Sequence, residues 1–208
     1  MYKAFAFDLG NVIVPFNHST IAPRLLNYSI RKEIYSSSEI HNYLYKTAEV
    51  EHLYEEGKIS TKEFVERIKY QFELEISDEE FRSIFCDIFF DAHPETIAII
   101  KAIKQKSIPL ILVSNTNEMH FEFIKSRYEF INLFDAFLLS YKVGVRKPNK
   151  KIYEELIKIT RLMPNEIFYI DDIEEYVKSA AELDIATYHF TTPQAFFVHL
   201  SRILTQVN

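Results

Sequence analysis

Five short apolar runs constrain the fold of this 208-residue chain most strongly. Each run is continuously apolar rather than alternating, which is typical of strands buried on both faces of a parallel sheet. Helical patterns separate the later runs, and strands alternating with helices form right-handed βαβ units. The sequence therefore predicts an α/β fold with a doubly wound, Rossmann-like parallel sheet. The predicted strands are Lys3–Phe7, Leu110–Val113, Ala136–Leu139, Ile167–Ile170 and Ile185–Tyr188.

The helical patterns of this half of the chain repeat their apolar residues at three- and four-residue intervals. In the third pattern, for example, Ile152, Leu156 and Ile159 form one stripe that should face the sheet. The predicted helices are Pro94–Lys106, Met119–Tyr128, Asn149–Thr160, Glu174–Leu183 and Pro193–Leu204.

The stretch between the first two predicted strands breaks this alternation. It contains no convincing strand, and its Tyr, Glu, Lys and Ser residues recur at helical spacing. Ser60 with Glu63, and Ser77 with Glu80, match the capping box that starts a helix. We predict a helical cap of about four helices at 16–90, inserted into a core domain made of 1–15 and 91–208.

Composition indicates a globular protein that acts on small ligands. The chain is 48% hydrophobic, enough to bury a core, and 24 Lys and Arg against 30 Asp and Glu give a net charge of −6. That balance, with no basic run, argues against a nucleic-acid partner. The single cysteine, Cys86, fits a reducing compartment, and no secretory signal or membrane-spanning apolar run is seen. We expect a cytoplasmic protein with no membrane partner, either a monomer or a dimer.

Polar side chains follow the ends of four predicted strands. Asp8, Ser114–Asn115, the loop 142–147 and Asp171–Asp172 should converge, because ligands bind at the carboxyl ends of parallel strands. Clustered carboxylates favour a divalent cation such as Mg²⁺. A carboxylate beside that cation can attack phosphorus and form an aspartyl-phosphate. The phosphoryl oxygens need donors, which Ser114, Asn115, Lys147 and the backbone N–H groups of the turn Asp8, Leu9 and Gly10 would supply.

These residues carry a family resemblance over essentially the whole chain. The segments "AFAFDLGNVIV", "LILVSNTN", "GVRKPNKKIY" and "FYIDDIEEYVKSA" resemble, in order and spacing, the four motifs of the haloacid dehalogenase (HAD) superfamily. The closest branch is that of phosphatases with a helical cap after the first strand. The resemblance implies roles for the following residues: Asp8 as nucleophile, Ser114 and Asn115 as phosphoryl ligands, Lys147 as the neutralising cation, Asp8, Asp172 and the Gly10 carbonyl as Mg²⁺ ligands, and Asp171 as their support.

Gly10 departs from the motif of most family phosphatases. They carry an aspartate there, which protonates the leaving group, and acid–base catalysis is typically worth ~10²–10⁴-fold. One reading is a phosphatase that is slow or limited to easy leaving groups. Sugar 1-phosphates suit it, since a subgroup resembling hexose-1-phosphate phosphatases shares "FDLGNV". The alternatives are a metal-independent dehalogenase, which the pair Asp171–Asp172 disfavours, and a binding protein without turnover.

The last motif also departs from the family pattern, because Ile173 and Tyr176 stand where asparagines are common. Outside the motifs, His18 lies shortly after the first strand and could face the site. We nevertheless expect a surface histidine of the linker there, and we assign the cap tyrosines Tyr43, Tyr45 and Tyr54 to a hydrophobic core. Cys86 is expected to be a small buried residue of the cap.

Overall fold

The computed structural model describes residues 2–205. Its centre is a five-stranded sheet in the order β3-β2-β1-β4-β5, and every neighbouring pair is parallel. The predicted doubly wound α/β fold is therefore confirmed. The strands are β1 (Ala4–Phe7), β2 (Leu110–Ser114), β3 (Ala136–Leu139), β4 (Ile167–Asp171) and β5 (Ala186–His189).

The helices of the described chain fall into two groups. The first five in the chain form one layer, and the others pack against the sheet. The first five α-helices are α1 (Ile21–Leu26), α2 (Ser37–Asn42), α3 (Val50–Glu55), α4 (Thr61–Gln71) and α5 (Asp78–Cys86). The others are α6 (Pro94–Gln105), α7 (Glu118–Arg127), α8 (Ser140–Val143), α9 (Lys150–Thr160), α10 (Glu174–Ala181) and α11 (Pro193–Thr205).

The central strand β1 shows why the sheet is buried on both sides. Its phenylalanines Phe5 and Phe7 belong to one apolar cluster, while Ala4 and Ala6 belong to the cluster on the opposite face. Successive side chains of a strand point to opposite faces, so both faces need apolar residues. The chain runs from β1 outward to β3 and then crosses to β4 on the other side of β1. This reversal places the switch point of the sheet at the carboxyl ends of β1 and β4.

The predicted stripe on α9 is right for two of its three residues. Ile152 and Leu156 are fully buried, but Ile159 is 42% exposed. Tyr153 is buried instead, and its hydroxyl donates to the Tyr176 carbonyl at 3.0 Å. The helix therefore presents its first two turns to the sheet, while its last turn points towards solvent.

The five short helices between β1 and α6 pack around a hydrophobic cluster that also includes Met119 of α7. Ser77 and Glu80 form the predicted capping box at the start of α5. Ser60 caps α4 as predicted, but the Glu63 carboxylate accepts a hydrogen bond from Arg67 instead of reaching back. The division into a core of 1–15 and 91–208 and a cap of 16–90 stays a prediction.

One glycine brings the helical layer close to the sheet edge. Gly57 lies just after α3 with φ +64°, and a Cβ atom there would be 2.2 Å from the Tyr141 carbonyl oxygen in α8. No side chain fits at that distance, so the close approach of the α3 turn to α8 depends on the bare backbone. Among residues 2–205, no helix combines the length and apolar character needed to cross a membrane.

Candidate active site

A buried lysine joins the carboxylates at the ends of β1 and β4. The Lys147 ammonium donates to Asp8 Oδ1 and to Asp171 Oδ2, both at 2.6 Å, and to the Val113 carbonyl at 3.1 Å. Lys147 is 2% exposed, and its partners come from β2, β4 and the turn after β1. The four strand ends that the sequence was expected to bring together therefore meet at one point.

The charges of this cluster are strongly coupled. Burial raises the pKa of Asp8 to about 7, against the lowering effect of Lys147 and with the help of Asp171 and Asp172. Burial alone would lower the pKa of Lys147, but Asp171 and Asp8 raise it above its usual range. The lysine is therefore a permanent cation, and it favours the ionised form of the Asp8 carboxylate that it touches.

The two adjacent aspartates have different surroundings. Asp171 is fully buried and uses both oxygens: Oδ1 accepts the Ile173 N–H at 2.9 Å, and Oδ2 accepts from Lys147 and from the Tyr169 hydroxyl. Asp172 is half-buried, and its Oδ2 accepts the Asn11 side-chain amide at 3.1 Å. Burial raises the pKa of Asp172. Asp172 thus faces the cavity, while Asp171 is held behind it.

The same carboxylates fit a divalent cation. One oxygen from each of Asp8, Asp171 and Asp172 can be chosen so that all lie within 4.8 Å of one another. Asp8 and Asp172 each use one oxygen in a side-chain hydrogen bond, in contrast to the fully engaged Asp171. Hard oxygen ligands with one or two carboxylates are the donor set that Mg²⁺ takes in proteins.

The turn after β1 supplies backbone groups rather than side chains. The Leu9 side chain is buried in the core, and its carbonyl accepts the N–H groups of Ile13 and Val14 at 3.0 Å. The Gly10 carbonyl accepts the Val12 N–H at 2.6 Å, which leaves it one further lone pair. Within residues 2–205, the N–H groups of Leu9 and Gly10 donate to no backbone acceptor.

A phenylalanine ring fills the space beside Gly10. A Cβ atom built at Gly10 would be 2.5 Å from Phe16 Cε1, closer than real Cβ contacts come. Phe16 is in turn packed against the rings of His18 and Phe89. The sequence showed that the aspartate is missing at this position, but it gave no sign that an aromatic ring occupies its place.

Ser114 and Asn115 differ in how much of their side chains is available. Within the described residues, Ser114 Oγ has only a long contact of 3.4 Å, to the Asn115 carbonyl. The Asn115 amide instead holds the loop after β3: its Oδ1 accepts the Lys147 N–H at 2.8 Å, and its Nδ2 donates to the Lys147 carbonyl at 3.0 Å. The predicted phosphoryl ligand Asn115 therefore fixes the position of Lys147 with its side chain.

Ile173 and Tyr176 replace the family's asparagines in different ways. Ile173 contributes its backbone N–H to Asp171, and its side chain is 42% exposed. The Tyr176 hydroxyl accepts from Asn115 Nδ2 at 3.3 Å, and its ring lies 5.2 Å from the Lys147 ammonium. Ile173 thus orients Asp171 through its backbone, and Tyr176 contacts the Asn115 amide that holds Lys147.

A cavity of about 240 Å³ separates these strand ends from the helical layer. Its sheet side carries Asp8, Asp172 and Lys147. Its opposite side carries residues that the sequence did not select as site residues, apart from Arg146 in the predicted loop 142–147. We call the first side the sheet wall. The second, the helical wall, consists of His18, Tyr45, Glu51, Glu55 and, from the loop after β3, Arg146.

The expected surface position was wrong for His18, whereas Tyr45 packs against the core of the helical layer as expected and also lines the cavity. His18 is half-buried and lines the cavity, where it stacks on the Tyr45 ring at 5.2 Å between centroids and 11° between planes. Burial and, secondarily, His41 lower the pKa of His18 to about 4, so its imidazole is neutral near pH 7. Tyr54 is a core residue as expected, and Cys86 is buried in α5 as expected.

Comparisons with known proteins bear on this arrangement. Residues 2–184 match the family model described as haloacid dehalogenase-like hydrolase, well over half of the chain. The chain belongs to the haloacid dehalogenase-like hydrolase family. The predicted membership of the HAD superfamily is thus confirmed, and with it the expectation that this protein is a hydrolase.

Relatives within the HAD family match almost the whole chain. D-ribitol-5-phosphate phosphatase of Bacteroides thetaiotaomicron is 25% identical over 194 residues, 90% of this chain and 91% of the relative. A predicted HAD-like family hydrolase from Porphyromonas gingivalis has a TM-score of 0.82 at 23% identity, covering 98% of both chains. A HAD family enzyme from Bacteroides thetaiotaomicron in complex with magnesium and inorganic phosphate has a TM-score of 0.79 at 23% identity, covering 92% and 95%. The solved structures share the fold of this chain.

Proposed function

We propose that this HAD-family hydrolase is a Mg²⁺-dependent phosphatase of a small phosphorylated metabolite in the cytoplasm, with sugar phosphates the favoured class. The observation that carries the proposal is the buried Lys147 ammonium, 2.6 Å from both Asp8 and Asp171, with Asp172 beside them. A fixed cation between carboxylates suits the charge of a phosphoryl group. The names of the relatives above, a sugar-alcohol phosphatase among them, support the same reaction.

In this proposal Asp8 is the nucleophile. Its carboxylate oxygen attacks phosphorus and the bond from phosphorus to the ester oxygen breaks, and the leaving oxygen takes a proton from water. A second water then attacks the aspartyl-phosphate, which releases inorganic phosphate and regenerates Asp8. Lys147 neutralises the phosphoryl oxygens, while Ser114 Oγ and the N–H groups of Leu9 and Gly10 donate to them. The Asn115 backbone lies beside Ser114, and its side chain keeps Lys147 in place.

The metal would be held by Asp8, Asp172 and the Gly10 carbonyl, with Asp171 orienting Lys147 behind them. Mg²⁺ there supplies charge stabilisation to the transferring phosphoryl group. Asp8, Asp171 and Asp172 together are also the reason to prefer this reaction to metal-independent dehalogenation, which would leave their clustered charge without a use.

The site lacks a side chain at position 10 that could donate a proton to the leaving oxygen. Gly10 offers no carboxyl group, and the Phe16 ring takes the space that the Cβ atom of a side chain would need. The proposal therefore favours esters whose oxygen leaves readily, such as an anomeric sugar phosphate. A catalytically weak phosphate-binding protein is the alternative that this observation favours.

The test is phosphate release from sugar, alditol, nucleotide and aryl phosphates with Mg²⁺, with and without EDTA, beside Asp8→Asn. We expect release that EDTA and Asp8→Asn each abolish. Release that survives EDTA would contradict the metal. No release from any ester, together with stabilisation by Mg²⁺ and inorganic phosphate in thermal unfolding, would establish the binding-protein alternative.

A further inference from the structure

The helical wall contains buried polar atoms that the protein itself does not satisfy. Glu51 is 3% exposed, yet its Oε1 has no hydrogen-bond partner among residues 2–205. The Tyr45 hydroxyl is also buried without a partner. Leaving such a group unpaired typically costs about 1–3 kcal/mol, so native structures rarely do so twice in one place. Both side chains line the cavity that contains Asp8.

We propose that Tyr45 and Glu51 form a hydroxyl-binding subsite, which selects phosphate esters of polyhydroxylated chains such as alditols and sugars. This inference rests on the proposed phosphatase function, because it assigns the part of the substrate beyond the phosphate. Each hydroxyl of such a substrate can donate one hydrogen bond and accept others. Glu51 Oε1 and the Tyr45 hydroxyl are the partners it would meet opposite the sheet wall.

The charges of the helical wall suit a neutral polar ligand. Glu51 and Glu55 lie one turn apart on α3, and Arg146 forms an ion pair with Glu55 Oε2 at 2.6 Å. Burial, and then the charge of Glu55, raise the pKa of Glu51 well above 4.5. A neutral carboxylic acid can both donate to and accept from an alcohol, and the Arg146 cation disfavours an amine at the same place.

A metal ion is a poorer occupant of this wall. His18, Glu51 and His120 can bring one ligand atom each within 4.8 Å of one another. However, His120 Nε2 donates to the Phe85 carbonyl at 3.0 Å, and its Nδ1 accepts from Asn117 Nδ2 at 3.0 Å. Both ring nitrogens are already engaged, so this histidine has none left to offer a metal.

The size of the cavity limits the ligand. Its volume of about 240 Å³ lies below the roughly 300–1,000 Å³ of sites that take drug-sized molecules. In the proposed function, a phosphoryl group bound at the sheet wall occupies part of that volume. What remains suits a short carbon chain whose hydroxyls lie next to Tyr45 and Glu51.

The experiment compares two substrates of equal chain length, D-ribitol 5-phosphate and pentyl phosphate, which differ in their hydroxyl groups. For the wild type we expect a higher kcat/KM with the ribitol ester. Tyr45→Phe removes only the hydroxyl, and Glu51→Met removes the carboxyl at similar size. Each should reduce the ratio of the two kcat/KM values about tenfold or more, as expected when a site loses a hydrogen bond to a substrate hydroxyl.

Tyr43→Phe is the matched control, because Tyr43 packs on Phe72 in the helical layer and does not line the cavity. Its ratio should equal that of the wild type. A ratio unchanged in both Tyr45→Phe and Glu51→Met would overturn the subsite. So would a wild type that hydrolyses the two esters equally well, although the phosphatase function would then stand.

Calorimetric binding to Asp8→Asn separates the two proposals if no turnover occurs. Tighter binding of ribitol 5-phosphate than of pentyl phosphate, lost on adding Tyr45→Phe, would support the subsite even where the phosphatase function fails. Equal binding of both esters, or of ribitol 5-phosphate and inorganic phosphate, would overturn it.

Discussion

The two walls of the cavity differ in how completely the protein satisfies their buried side chains. On the sheet wall, Lys147 is fixed by hydrogen bonds of 2.6 to 3.0 Å to Asp8, to Asp171 behind the wall and to the Asn115 side chain. On the helical wall, Tyr45 and Glu51 bury polar atoms without partners. A preorganised wall suits a group present in every turnover, such as a phosphoryl group. An unsatisfied wall suits the variable part of a substrate, which brings its own hydrogen bonds.

The largest effect should come from breaking the sheet wall at its centre. Lys147→Met leaves Asp8 and Asp171 buried without their cation, and removing one partner of a buried ion pair typically costs 3–5 kcal/mol. We expect a loss of about 3–5 kcal/mol in the free energy of unfolding, measured by urea denaturation. Lys151→Met, at an exposed position of α9, should change it by less than about 0.5 kcal/mol. Similar losses of unfolding free energy in Lys147→Met and Lys151→Met would contradict the central role of Lys147 in the sheet wall.

The border between the walls offers the next test, at Gly10 and Phe16. Gly10→Asp alone should not restore a proton donor, because its Cβ would be 2.5 Å from the Phe16 ring. Overpacking of this kind typically costs about 1–3 kcal/mol. The double variant, which carries both Gly10→Asp and Phe16→Ala, should hydrolyse alkyl phosphates at least about tenfold faster than Phe16→Ala alone. Faster hydrolysis by Gly10→Asp alone would mean that the Phe16 ring moves aside at little energetic cost.

A substitution on the helical wall should act in the opposite direction on stability. Glu51→Met removes a buried, unpartnered oxygen and should raise the free energy of unfolding by about 1–3 kcal/mol near pH 7, measured by urea denaturation. Glu66→Met, at an exposed position of α4, is the control. Destabilisation by Glu51→Met would show that this carboxyl is structural.

The same residue predicts a pH dependence with a definite sign. Because the pKa of Glu51 is raised in the folded state, the folded protein retains a proton that the unfolded chain releases. Wild-type stability relative to Glu51→Gln should therefore be greatest below the unfolded pKa of about 4.5 and fall as the pH rises above it. Thermal unfolding of both proteins across this range measures the difference in stability. Glu55 and Arg146 are present in both proteins, so the comparison isolates the change at position 51. If the stability of the wild type relative to Glu51→Gln instead rose with pH, the raised pKa assigned to Glu51 would be contradicted.

The smallest effect concerns the outer support of the sheet wall. Tyr176→Phe removes one 3.3 Å hydrogen bond to Asn115 and should cost about 1 kcal/mol or less. Asn115→Ala removes both side-chain hydrogen bonds to the Lys147 backbone and should lower kcat/KM for phosphate release about tenfold or more. Equal kinetic losses in the two variants would show that Tyr176 itself touches the substrate.

The sequence predicted the sheet and the positions of the residues on the sheet wall because both depend on local patterns. Apolar runs ending in Asp8, Ser114 and Asp171 identify buried strands and the residues at their carboxyl ends, and parallel strands bring those ends to one edge. Short-range hydrogen bonding was predictable in part: the box of Ser77 and Glu80 forms, whereas Glu63 does not reach back to Ser60.

The helical wall was not predictable because it depends on packing between distant segments. His18 lies in a short 3₁₀ turn and Tyr45 in a π-helix. The α-helical spacing of apolar residues does not predict which face of such segments is buried. Glu51 and Glu55 look like solvated charges of a helix until α3 meets Arg146 from a loop about ninety residues later. Nothing local to Phe16 indicates that its ring fills the space beside Gly10.

Gly57 has a consequence for how a protein of this shape can change its preferences over evolutionary time. The turn after α3 meets the Tyr141 carbonyl through bare backbone, so not even a methyl group fits between them. Sliding or tilting α3 to admit a larger substrate would first have to break that contact. New preferences are therefore more accessible through exchanges at positions 45, 51 and 55, which alter the surface of the wall without displacing the helix that carries it.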